Sequence, residues 1–135
     1  MKIALPIFVA FALAVAGSAL ATRNNATITI RHQTHGCHSW SLNGKTWAPS
    51  QALTLVRGGV LTVVDNDVMS HKLIQLSGPK ATLVGALMKH ISATAHVAFP
   101  VKGTYVFTTK AGEDYMKGVK TTGEDNVLKL VVKVT

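Results

Sequence analysis

The sequence predicts an all-β domain, an eight-stranded antiparallel sandwich or barrel, on three observations. Short segments rich in Val, Ile, Thr and Leu alternate apolar with polar residues, the signature of a half-buried strand. Clusters of Gly, Asn and Asp separate these segments, and no stretch keeps a helical period for more than a few turns. The chain of 135 residues has room for one such domain.

The first element is not part of the domain. Lys2 precedes an apolar run from Ile3 to Ala16, followed by Gly17, Ser18 and the small-x-small triplet Ala19-Leu20-Ala21. That pattern reads as a secretory signal peptide over 1–21, because the run falls short of the ~20 residues that a membrane span needs. The domain then occupies 22–135, and the mature protein is expected to be secreted or periplasmic. Strands are expected at 26–31, 37–42, 52–56, 60–65, 71–76, 95–99, 104–109 and 126–134. Arg57-Gly58-Gly59 and the stretch Pro100 to Gly103 read as tight hairpin turns. Residues 78–94 are expected to hold a short helical turn.

Composition narrows the chemistry. A hydrophobic share of 47% excludes a disordered chain. A single cysteine, Cys37, excludes an internal disulfide framework and a Cys-rich zinc module. In an oxidising compartment that thiol must be buried, metal-bound or linked to a partner. Lys+Arg 14 against Asp+Glu 6 gives a net charge of +8, which suits an anionic redox protein or an acidic envelope surface as partner. The lysines are scattered along the chain without interleaved aromatics, so no nucleic-acid partner is expected. No enzyme is expected either. No acidic residue lies beside Cys37 and His38 to orient a catalytic dyad, and Asp65, Asp67, Glu113 and Asp114 read as solvated turn and loop residues.

The densest run of metal donors is His32-Gln-Thr-His35-Gly36-Cys37-His38. Imidazole nitrogen and thiolate sulfur are the donors copper prefers. Alternation puts His32 on the face of Ile28 and Ile30, His38 on that of Trp40 and Leu42, and His71 on that of Leu73. Cys37 has the opposite parity to His38, so Gly36 must supply an irregular backbone if both are to reach one metal. His96 opposes Ala95, Val97 and Phe99 in parity and is expected on the surface.

Three motifs carry a resemblance. Trp47-Ala-Pro49 running to Gly59-Val60, Asp65-Asn66-Asp67 running into His71, and Phe99-Pro-Val-Lys-Gly-Thr-Tyr105-Val-Phe107 together resemble the cupredoxin family. The resemblance implies a Greek-key cupredoxin-like fold. It also implies that His32, His35, Cys37, His38, His71, Met88, His90 and Met116 gather at one pole. The sequence departs from the family where Cys, His and Met should follow Tyr-x-Phe. Thr109 stands at the cysteine's place, and Lys110 to Met116 contains neither Cys nor His.

The expectation is therefore a copper protein with a rearranged site, engaged in electron transfer or copper holding. His38 and His71 would supply imidazoles and Cys37 a thiolate. Met116, or one of His32, His35, His90 and Met88, would complete the sphere. Zinc accepts the same donors. The alternative is a metal-free interaction or structural module of the cell envelope, in which Thr109 marks the loss of the site.

Overall fold

The computed structural model describes residues 23–32, 38–112 and 127–135. Among these residues nine strands are formed: β1 (Arg23–His32), β2 (His38–Ser41), β3 (Ser50–Asn66), β4 (His71–Ser77), β5 (Thr82–Val84), β6 (Leu87–Met88), β7 (Ala93–Ala98), β8 (Gly103–Ala111) and β9 (Lys129–Val134). No helix long and apolar enough to cross a membrane is present among the described residues. The signal-peptide segment lies outside them.

The all-β class is observed, with four differences from the expected strands. First, 52–56 and 60–65 are halves of one strand, β3, and Arg57-Gly58-Gly59 is a bend within it rather than a hairpin. The first half pairs with β9 and the second with β1 and β7, so the bend carries β3 from one layer to the other. Gly58 takes φ +83°, and a Cβ on Gly59 would stand 2.8 Å from the carbonyl oxygens of Asn24 and Val56. Second, the sheet is mixed, because β1 and β9 both run parallel to β3.

Third, Pro100 to Gly103 is no hairpin turn. It joins β7, which pairs with β3 and β5, to β8, which pairs with β4 and β9, and so crosses between layers. Fourth, residues 78–94 contain β5 and β6 in place of a helical turn. Left-handed backbone at Gly78, Gly85 and Ser92 interrupts any helix there. β5 then finishes one layer against β7, and β6 finishes the other against β4.

The layers β2-β1-β3-β7-β5 and β3-β9-β8-β4-β6 enclose a core of alternate side chains. Ile28, Ile30, Trp40, Leu61 and Val97 come from one layer. Leu73, Tyr105, Phe107, Leu130 and Val132 come from the other. Phe99 meets Tyr105 and Phe107 edge-on at ring separations of 4.9 and 5.9 Å, a favoured aromatic geometry. Gly78 closes the turn after β4 at φ +101°, where an added Cβ would stand 2.4 Å from the Thr104 carbonyl oxygen. Gly78→Ala is therefore expected to lower stability by about 2 kcal/mol in urea denaturation. A midpoint equal to that of the parent would contradict this packing.

Register brings six strand ends to one pole. His32 at the end of β1 faces His38 at the start of β2. Arg31 lies beside Asn66 at the end of β3. His71 at the start of β4 lies between Met88 on β6 and Ala111 on β8.

Candidate metal centre

The pole is organised by a carboxylate. β3 alternates Leu61, Val63 and Asp65 toward the core, and Asp67, one residue past its end, is buried as well, so the inward apolar row gives way to two acidic residues. Both are buried, Asp65 at 0% exposure and Asp67 at 1%. The expectation that solvent accounts for Asp65 and Asp67 is corrected here. β1, β2 and β4 end around them and exclude water, and imidazoles and backbone N–H groups replace it.

Asp67 is the hub. His38 Nδ1 donates to its Oδ2 in a very short contact, and His71 Nε2 donates to the same oxygen at 2.8 Å. Met69 N–H donates to Oδ1 at 3.1 Å, and His32 Nδ1 stands 3.7 Å from that oxygen. A carboxylate only accepts, so His38 carries its proton on Nδ1 and His71 on Nε2. His71 Nδ1 is then the acceptor for the Thr109 hydroxyl at 3.0 Å. The His38 and His71 rings meet edge-on, with centroids 4.6 Å apart.

Burial alone would raise the Asp67 pKa. The hydrogen bonds from His38 and His71, then that from the Met69 N–H, outweigh it and hold the carboxyl well below the usual range. Asp65 goes the other way. Burial pushes it up to about 6, against the Asp67 N–H that donates to its Oδ1 at 2.9 Å. Its Oδ2 has no hydrogen-bond partner among the described residues.

These shifts have opposite linkage to folding. Asp67, lowered on folding, adds stability above the unfolded carboxylate range that is lost as the solution is acidified. Asp65, raised on folding, binds its proton more tightly in the native state, so stability falls between about pH 4 and pH 6. Asp65→Asn is expected to remove that fall. Metal-free protein carrying it should be more stable above pH 7 by on the order of 2 kcal/mol and unchanged near pH 3. Equal pH profiles for the variant and its parent would refute the assignment.

His32, His38 and Asp67 form a group whose donor atoms all lie within 4.8 Å of one another. Two imidazole nitrogens and a carboxylate oxygen suit Cu(II) or Zn(II). His71 adjoins the group through Asp67. Met88 is buried opposite His71 across the β4–β6 pair. His90 is exposed, and its Nδ1 donates to the Ile91 carbonyl at 2.9 Å, so it is not among the residues gathered. His96 is on the surface, as expected. His35, Cys37 and Met116 lie outside the described residues. Sequence reasoning missed Asp67 as a site residue, although Asp65-Asn66-Asp67 on the inward parity of β3 was the available signal.

No family model and no curated protein matches the chain. Among solved structures, a purple cupredoxin from Nitrosopumilus maritimus is similar, at 13% identity and a TM-score of 0.46. That match covers 82% of this chain and 99% of the other. A copper-containing nitrite reductase from Thermus scotoductus is also similar, at 15% identity and a TM-score of 0.44, covering 79% of this chain but 22% of that one. A cysteine protease inhibitor from Entamoeba histolytica matches at 8% identity and a TM-score of 0.42, covering 82% and 97%. These likenesses concern architecture. A fold does not determine function, which has to be argued from the site.

Proposed function

We propose that this is an exported copper-holding protein of cupredoxin-like fold that binds Cu(II) through His32, His38 and Asp67, with His71 at their side. The observation that supports the reading is the convergence of three imidazoles on one buried carboxylate. The donor set fits a divalent copper ion. Borderline nitrogen and hard oxygen donors are present, and the anionic oxygen offsets part of the cation's charge. Copper would supply redox chemistry there. The chain's own part would be to hold the donors, to keep water from Asp67, and to carry the His38 proton on Nε2 instead of Nδ1 so that Nδ1 could bind. Holding is favoured over electron transfer, because Thr109 gives His71 a hydroxyl neighbour where a blue-copper site needs a thiolate. Cys37, which directly precedes His38 in the chain, remains the proposed sulfur donor.

Copper titration of the purified protein, followed by metal analysis and electron paramagnetic resonance, tests this. One equivalent should bind with weak visible absorption if nitrogen and oxygen dominate, and with intense absorption lost in Cys37→Ser if the thiolate joins. His38→Ala should lose the bound copper. Equal copper content in His38→Ala and its parent would end this assignment. The rival reading, a metal-free envelope module, is favoured by the hydrogen bonds that Asp67 already makes to His38 and His71. Failure of the parent protein to bind copper would select it.

A further inference from the structure

The outward face of the β4–β8–β9 layer collects lysines that the sequence scatters. Register places Lys72 on β4 directly opposite Lys110 on β8. It places Lys129 and Lys133 on β9 opposite Thr108 and Thr104 of β8. Directly paired residues project from the same face of a sheet, and all four lysines are exposed. Ile74, Val106 and Val131 occupy alternate positions among them and are half-buried. Leu76, further along β4, is 60% exposed.

Like charges directly opposite one another, as Lys72 and Lys110 are, repel. No described acidic side chain relieves them, because the only acidic residues among the described positions are Asp65 and Asp67, buried at the candidate metal centre. Self-repulsion of this kind costs stability and draws in anions. The array is long as well as cationic. Thr104, beside Lys133, and Lys110 are separated by six residues of β8, roughly 20 Å of strand. A small anion would meet one end only, whereas an extended anionic surface meets all four lysines.

We propose that this face docks on an anionic phospholipid surface, with the lysines at the headgroup phosphates and Ile74, Val106, Val131 and Leu76 toward the acyl boundary. Lysine stems cover apolar surface while their ammonium groups reach the phosphates. An acidic protein would also complement the charge, but the apolar residues between the lysines, with Leu76 60% exposed, suit a surface that carries an apolar layer beneath its charges. The inference is independent of copper binding.

Sedimentation of the full mature protein with phosphatidylcholine vesicles, with and without phosphatidylglycerol, tests it. Binding is expected only with phosphatidylglycerol, and it should be lost in high salt as screening shortens the range of attraction. Each lysine removed from the face should lower partitioning roughly fivefold, so Lys72→Gln/Lys110→Gln/Lys129→Gln should lower it about a hundredfold. The control Lys45→Gln/Arg57→Gln/Lys80→Gln changes net charge equally at exposed positions outside β4, β8 and β9, and it should keep most of the binding. Equal loss in both triple variants would overturn the proposal, because net charge alone would then suffice. Retention on immobilised polyglutamate without vesicle binding would also overturn it and assign the face to an acidic protein.

Discussion

Asp67→Ala is expected to unsettle the whole pole, lowering the stability of metal-free protein by about 3–5 kcal/mol and copper affinity on the order of 100-fold or more. The stability loss follows from what is left behind. His38 and His71 are 1% and 0% exposed, and both direct a ring N–H at Asp67 Oδ2. Without the carboxylate, those two donors are buried and lose that acceptor, and each lost partner leaves a desolvation cost. The affinity loss follows from removing the one anionic oxygen in the donor group. Urea denaturation in chelator and copper titration measure the two effects separately. A large stability loss with unchanged copper affinity would keep Asp67 as a structural hub and reject it as a ligand. Unchanged stability would reject the hub itself.

In a Cys37→Ser background, Thr109→Cys is expected to turn a weakly coloured copper protein into an intensely absorbing one. Thr109 Oγ1 lies 3.0 Å from His71 Nδ1, so the substitution sets a sulfur beside an imidazole nitrogen inside the pole. Thiolate and imidazole sharing Cu(II) are the core of a blue-copper chromophore. Making the change in a Cys37→Ser background assigns any new absorption to the introduced thiol. Thr109→Ser, which keeps a hydroxyl donor to His71, should stay weakly coloured. A copper-loaded Thr109→Cys spectrum identical to that of the parent would show that His71 Nδ1 and residue 109 do not face a shared metal position.

Much of the pole was legible in the sequence. Parity placed His38 and His71 on inward faces, and both are buried. The same argument put His32 in line with Ile28 and Ile30, although its position at the strand end leaves its side chain half-exposed. Asp67 was not legible as a hub. An Asp-Asn-Asp run looks like a hydrated turn until the ends of β1, β2 and β4 are set around it, and those ends come from distant parts of the chain. The Arg57-Gly58-Gly59 bend was misleading for a related reason. Two glycines look locally like a hairpin, but β3 continues through them because its halves find different partners. The lysine face is a third case, assembled from three strands whose order in the sheet differs from their order in the chain.

The sequence by itself determined the all-β class and the inward side of most strands. Alternation is a local property of an extended backbone and needs no knowledge of neighbours. Only the tertiary structure decided which inward residues meet and how two nearby carboxylates diverge. Asp65 is pushed toward protonation and Asp67 is held ionised, because burial and donated hydrogen bonds depend on which strands close around each oxygen.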